Sequence, residues 1–128
     1  MSTVINAEIF GMEPFAKHGF AVHESGDLSN GCEGLGPHYN PFGVNHGSPN
    51  DDVRHVGALG NVEANEFGKS IYRAKNELLS LWDDTSVIGR GCVLHANEDD
   101  LGQGGDEGSL ENGNSGAAIA CGFIELWP

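Results

Sequence analysis

The sequence predicts a small all-β domain of short antiparallel strands. Glycine is frequent, with 20 residues in a chain of 128. The apolar runs between turn signals are short, and this pattern favours many strands over long helices. The length fits one domain, residues 1–128, and leaves no room for a second. Hydrophobic residues make up 38% of the chain, which is enough for a modest core.

Strand character recurs between Gly, Pro, Asn and Asp residues that mark turns. A Gly-Met-Glu-Pro turn at 11–14 separates the first two candidates and predicts that they form a hairpin-like unit. The segment 76–82 is ambiguous between a helical turn and a short strand. The six predicted strands cover residues 3–10, 15–23, 59–64, 69–74, 88–95 and 117–126.

Two long loops remain, at 24–57 and 96–116. Structureless loops beyond about 12–15 residues are uncommon in compact domains unless something organises them. The first loop contains Cys32 and three of the six histidines, whereas the second consists mostly of Gly, Asn, Ser, Asp and Glu. We therefore expect a metal or a cross-link to organise the first loop.

The chain is strongly acidic, with 6 Lys and Arg, 19 Asp and Glu, and a formal net charge of -13. Such a surface repels phosphate backbones and anionic lipids, so we expect neither nucleic acid nor membranes as partners. No run approaches the roughly 18–20 apolar residues of a membrane helix. The first residues lack the basic and apolar regions of a signal peptide. We expect a cytoplasmic protein.

The three cysteines allow one disulfide and one free thiol. Cys92 alternates in register with Leu94, and we interpret it as a small buried core residue. Cys32 and Cys121 are then the natural pair. A disulfide in a reducing compartment would be an exception. By the chain-entropy argument, so long a closed loop would contribute about 4–5 kcal/mol to stability.

The histidines indicate a metal site. Neutral imidazole is the usual nitrogen ligand of zinc and copper, because it offers a lone pair near physiological pH. A lone loop histidine is more often solvated, but three in one loop together with two on predicted strands point to a shared ion. His18 lies three residues before Ala21, on the other strand face, and is excluded. The candidate ligands are His23, His38, His46, His55 and His95.

Several runs of sequence resemble the copper/zinc superoxide dismutase family. They are GFAVHESGDLSNGC at 19–32, GPHYNP at 36–41, HGSPNDDVRHVGALGNV at 46–62, VIGRGCVLHANEDDLG at 87–102 and GNSGAAIACGFI at 113–124. The resemblance covers essentially the whole chain. It implies an immunoglobulin-like Greek-key antiparallel β-barrel or sandwich. The family has eight strands, and Met1 corresponds to the start of the third, so the resemblance implies a barrel that lacks the first two.

The resemblance implies a copper site held by three histidines, His23, His38 and His95. A fourth family ligand corresponds to Ala21. Three imidazoles suffice for Cu(I), whereas Cu(II) prefers a tetragonal set, so cycling between the two states should suffer. By the same resemblance His38 is the catalytic residue, because it bridges copper and zinc.

The resemblance implies a zinc site held by His38, His46 and His55. The family's aspartate ligand corresponds to Ala58, which leaves three histidines and an open position. Asp99 matches the carboxylate that links the outer nitrogens of copper and zinc ligands and fixes their orientation.

The implied reaction is the dismutation of superoxide to dioxygen and hydrogen peroxide at the histidine-bound copper. Superoxide is an anion, and fast turnover depends on a cationic approach. The family's guiding arginine corresponds to Ala118, and no Lys or Arg follows Arg90. We therefore expect slow or absent dismutation. The loop that should line the entry carries Glu98, Asp99, Asp100, Asp106, Glu107 and Glu111.

Three functions remain open at this point. The chain is a divergent dismutase with copper and some activity, a non-catalytic relative that binds metal or a partner, or a scaffold without metal. The implied loss of two strands would expose sheet edges, which invite pairing with another chain. We therefore expect a homodimer or a higher assembly.

Overall fold

A computed structural model describes residues 3–125. Across this range the chain forms six β-strands, one 3₁₀-helix and one short α-helix. The strands are β1 Thr3–Ile9, β2 Lys17–His23, β3 Ala58–Glu63, β4 Ser70–Asn76, β5 Gly91–His95 and β6 Ala118–Phe123, and the helices are Glu33–Leu35 (3₁₀) and α1 Glu107–Asn112. Neither helix is long and apolar enough to cross a membrane.

The strands form two antiparallel sheets. One contains β1 and β4, and the other has four strands in the order β3–β2–β5–β6. Neighbouring strands are often distant in sequence. For example, β1 pairs with β4 over seven residues, from Thr3 opposite Asn76 to Ile9 opposite Ser70. The predicted all-β antiparallel fold is confirmed. The end of the last predicted strand, at residue 126, lies outside the described residues.

The predicted hairpin between the first two strands is wrong, because β1 and β2 belong to different sheets. The link between them contacts the β3–β4 connection, where the Met12 amide donates to the Gly68 carbonyl (3.0 Å) and the Phe15 amide to that of Asn65 (3.3 Å). Each strand has an apolar face to bury, and these faces meet across the core. Turn residues at 11–14 therefore mark a crossing between sheets.

The core lies between the two sheets. Phe20 on β2 meets Tyr72 on β4 edge to face, with ring centroids 5.6 Å apart, and Ile5 and Ile9 of β1 pack against the same cluster. This packing fixes the four-stranded sheet, whose β2 and β5 strands each end in a histidine. The buried cluster comprises Phe20, Val22, Tyr39, Val56, Leu59, Val62, Leu79, Val87 and Leu94.

A disulfide organises the first long loop. Cys32 is bonded to Cys121 on β6, across 89 residues of sequence. Cys92 is free and half-buried, and burial raises the pKa of its thiol. The expected pair is therefore present, and Cys92 packs against the core without being fully enclosed.

The second long loop contains α1, which the sequence reasoning missed. Asp106 caps the helix by accepting from the Ser109 amide (2.9 Å), and Gly113 ends it in the left-handed conformation. The sequence feature that could have predicted this helix is the presence of cap residues at both ends of Glu-Gly-Ser-Leu-Glu-Asn. Segment 76–82 forms neither alternative, since the Asn76 side chain accepts from the Leu78 and Leu79 amides and ends the strand in a turn.

Candidate metal centre

Five buried histidines converge from distant parts of the chain. In each of two groups, one ring nitrogen per residue lies within 4.8 Å of the others, and His38 belongs to both. His18 is in neither group, and its Nδ1 contacts the His95 carbonyl (2.8 Å) instead. The first group is His23, His38 and His95; the second is His38, His46 and His55.

The chain brings these rings together through strand ends and the first loop. His23 is the last residue of β2 and His95 the last of β5. His38 reaches β2 through an isolated antiparallel bridge with His23, and the amides of Glu24 and Tyr39 donate to the carbonyls of Pro37 and Val22. The loop is thus bonded to β2 on both sides of His38, which carries its ring to the sheet.

In the first group, two bare nitrogens face each other. His23 Nδ1 lies 2.7 Å from the Gly36 carbonyl and His95 Nδ1 lies 2.8 Å from that of Gly116. A carbonyl only accepts, so both Nδ1 atoms carry the proton and, in neutral rings, both Nε2 atoms present lone pairs. These two Nε2 atoms are 3.1 Å apart. Two acceptors at that distance repel unless a cation lies between them, and ligands of one metal at ~2.0–2.1 Å would be separated by about this much.

In the second group, the ring of His46 is supported by a carboxylate and not by a backbone carbonyl. His46 Nε2 donates to Asp99 Oδ1 at 2.7 Å, which leaves Nδ1 bare, buried and without a partner in the described structure. The Nδ1 atoms of His38 and His55 lie 3.1 Å apart. His38 Nε2 is also buried and without a partner there. The orphaned nitrogens fit a metal in each group.

The environment keeps the central rings neutral. Burial, reinforced by the four surrounding histidines, lowers the pKa of His38 to about 2. Burial also lowers the pKa of His23, against an opposing hydrogen bond to Gly36. The pKa of His55 is lowered by burial and by His46, against a backbone hydrogen bond at Val44. Neutral imidazole is the form that binds a metal.

Asp99 is held in place by contacts that the sequence reasoning did not find. The Asn61 amide group bonds both the amide and the carbonyl of Asp99 (2.7 and 2.9 Å). Gly113 has a φ of +72°, and a Cβ there would collide with the Asp99 carboxylate and the His46 ring. The sequence signal for Asn61 was an amide side chain between the apolar residues Leu59 and Val62 of β3.

Asp99 contacts only one of the two groups. Asp99 was expected to link copper ligands to zinc ligands, and its hydrogen bond with His46 is present. The outer nitrogens of His23 and His95 contact the Gly36 and Gly116 carbonyls instead. The two groups therefore have different supports.

Three alanines, Ala21, Ala58 and Ala118, occupy the positions where the resemblance implies two metal ligands and an arginine. Ala21 and Ala58 are directly opposite each other in the pairing of β2 with β3, and they are 2% and 1% exposed. Ala118, on β6, lines a hollow of about 270 Å³ together with His23, His38 and His95. The wall of this hollow also includes Glu111.

Comparison with known proteins agrees with the geometry. The family model for "Copper/zinc superoxide dismutase (SODC)" matches residues 1–124. Similar proteins include "Superoxide dismutase [Cu-Zn]" of Cryptococcus neoformans var. grubii, 51% identical over 122 residues, covering 95% of this chain and 79% of the relative. The Saccharomyces cerevisiae protein of the same name is 50% identical over 124 residues (97% and 80%). "Superoxide dismutase [Cu-Zn] 5" of Dictyostelium discoideum is 48% identical over 123 residues (96% and 80%). The chain belongs to the copper/zinc superoxide dismutase family.

Proposed function

We propose that this chain binds copper through His23, His38 and His95 and zinc through His38, His46 and His55, and that its superoxide dismutase activity is weak or lost. The observation that carries the proposal is the 3.1 Å contact between the bare Nε2 atoms of His23 and His95. Between two neutral rings this contact is repulsive unless a cation lies between the lone pairs, and the fold nevertheless holds both rings there through two backbone carbonyls.

Bound copper would supply the one-electron chemistry that takes superoxide to dioxygen and peroxide. The chain's own contribution lies in its neutral rings. His38 presents one nitrogen to each group and shares the hollow with His23 and His95. Its Nε2, buried and without a partner among residues 3–125, is the atom at which this chain would hold or release a proton next to a bound substrate.

Two features support weak or lost activity. The methyl group of Ala21 offers no fourth nitrogen, and three-coordination favours Cu(I) over Cu(II). In the hollow, Ala118 stands at the family's arginine position and Glu111 adds a negative charge. An anionic substrate therefore meets an unfavourable potential where the reaction needs a favourable one.

The test is to measure copper, zinc and superoxide consumption on the same sample. We expect both metals to bind and the second-order rate to fall far below the diffusional ceiling. A rate within tenfold of ~10⁹ M⁻¹s⁻¹ would contradict the loss of activity.

The second candidate is a non-catalytic metal-binding relative. All five histidines are present, whereas the hollow in front of His23 and His95 is lined by no Lys or Arg among the described residues. This combination favours metal binding without catalysis. Stoichiometric metal with no superoxide consumption would select it. A protein that binds neither metal under the same conditions would select the scaffold instead.

We also propose that the chain self-associates. The sheet formed by β1 and β4 has only two strands within residues 3–125, so β1 has a strand partner on one side. Open strand edges can pair with other chains. The exposed side chains of Val4 and Ile71 on this sheet add apolar area. Light scattering at micromolar concentration should give at least a dimer mass; a monomer mass would overturn the proposal.

A further inference from the structure

Three glutamates line a second hollow beside the histidine groups. This hollow, of about 570 Å³, is bounded by Glu24 on one side and by Glu107 and Glu111 of α1 on the other, and it reaches His38 and His55. Glu111 also lines the smaller hollow in front of His23 and His95. Among the described residues that line either hollow there is no Lys or Arg. Apart from the histidines, the charged side chains among these lining residues are therefore all acidic, although the Arg90 guanidinium donates to the Glu24 carbonyl from outside the hollow (2.8 Å).

One buried histidine borders both hollows. His38 is 5% exposed and lines both. Its Nε2 has no hydrogen-bond partner within the described chain. A buried lone pair behind acidic side chains is a site that attracts a cation and repels an anion.

The two glutamates of α1 repel each other, and Glu111 also interacts unfavourably with the helix dipole. Glu107 and Glu111 are four residues apart, so they share a face and repel each other. Glu111 lies in the last turn, where the helix dipole disfavours an anion, and that turn has no basic residue. A conflict between local stability and sequence is expected at functional positions.

The helix is fixed next to the histidines by the backbone. The His46 amide donates to the Leu110 carbonyl at 2.7 Å, so α1 is bonded directly to the segment that carries one of the ligands. The backbone that carries the two glutamates is therefore held beside this segment.

We propose that Glu24, Glu107 and Glu111 form an entry path that draws divalent metal cations to the histidine groups through the larger hollow. The inference rests on the proposed metal binding and adds the route and its charge requirement. In this chain the acidic approach serves metal loading, whereas an approach suited to superoxide would be cationic.

The test is the rate of Co²⁺ binding to the metal-free full chain, followed by the absorbance of the histidine-bound ion in stopped flow. We expect the Glu107→Gln/Glu111→Gln double variant to bind about tenfold more slowly at low salt, because electrostatic steering is reduced. Its dissociation rate should not change. Near 1 M salt, where the Debye length is ~3 Å, the difference should disappear.

The matched control is Glu98→Gln, which removes a charge from the same loop at a residue that lies outside both hollows and near Lys17 (3.9 Å). It should leave the association rate nearly unchanged at both salt concentrations. If this control slows binding as much per charge as the double variant, net charge is responsible and the entry path is refuted.

Stability separates an entry role from a structural one. Glu111→Gln removes a repulsion and an unfavourable dipole interaction, so its melting temperature should equal or exceed that of the parent. A lower melting temperature together with faster dissociation would make Glu111 a structural residue and overturn the proposal. If the parent chain binds no Co²⁺, Zn²⁺ or copper at all, both the proposed function and the entry path are refuted. If it binds metal and the double variant binds Co²⁺ at the same rate, only the entry path is refuted.

Discussion

The two histidine groups share His38 but differ in what holds the other rings. In the group proposed to hold copper, here the copper side, His23 and His95 donate to the backbone carbonyls of Gly36 and Gly116. In the group proposed to hold zinc, here the zinc side, His46 donates to the Asp99 carboxylate. A backbone carbonyl moves only if its segment moves, whereas a carboxylate can be removed by one substitution. The copper side therefore depends on the position of two loops. On the zinc side, His55 has a backbone hydrogen bond at Val44, but His46 depends on one side chain.

The disulfide belongs to the copper side of this comparison. Cys32 lies four residues before Gly36, and Cys121 lies five residues after Gly116. The covalent bond between the two cysteines thus ties together the two segments whose carbonyls orient His23 and His95. Each group can be disturbed separately, through the disulfide or through Asp99.

The largest effect is expected from His38→Ala, which removes a member of both groups. Both metals should be lost, with an affinity decrease beyond the ~10–100-fold that follows the loss of a supporting group. Metal content after dialysis, measured by mass spectrometry, checks this. His18→Ala, at the histidine outside both groups, is the control and should retain both metals. Retention of either metal at full occupancy by His38→Ala would show that the two groups are independent.

Next in size is Cys32→Ser, which should affect the copper side more than the zinc side. Loss of a cross-link across 89 residues should lower the free energy of unfolding by about 4–5 kcal/mol, and copper should dissociate faster because the Gly36 segment loosens. Urea unfolding and competition with a copper chelator measure the two effects. Cys92→Ser, which leaves the disulfide intact, should change both much less. Equal loss of copper and zinc from Cys32→Ser would contradict the comparison.

Asp99→Ala should affect the zinc side more than the copper side. Removing the acceptor of His46 should weaken zinc binding by about 10–100-fold, with a smaller effect on copper, since His23 and His95 keep their carbonyl partners. Zinc and copper affinities are measured by chelator competition on the same preparation. Asp52→Ala, in an exposed part of the first loop, should change neither affinity. A larger loss of copper than of zinc would mean that Asp99 supports both groups.

The smallest effect concerns the free thiol. Burial raises the pKa of Cys92, so at pH 7.5 less of it is thiolate than in an exposed cysteine, and the thiolate is the reactive form. Alkylation of the native chain should be slower than in denaturant, and it should accelerate as the pH rises. A native rate equal to the denatured rate would show that the thiol is not protected.

The strands, and the convergence of five histidines, could be predicted because both depend on residue type. Alternating apolar residues mark a strand wherever it pairs, and imidazole is a ligand in any fold. Pairing was harder, since β1 selects β4 rather than the adjacent β2 through contacts across the core. The acceptors at Gly36 and Gly116 are backbone atoms, which every residue possesses, so no side chain indicates them. Helix α1 was missed because six residues with an internal glycine carry a weak helical signal and depend on their caps.

Because Ala21 and Ala58 are buried cross-strand neighbours, a larger polar side chain at either position alone should be destabilising. A histidine at 21 or an aspartate at 58 would place one bulky polar group against a methyl in a closed part of the sheet, and an unpartnered polar group there is destabilising. Introduced together, the two could satisfy each other, so their effects on stability should be strongly non-additive. In the metal-free chain, each single replacement should therefore lower the free energy of unfolding more than the double replacement does.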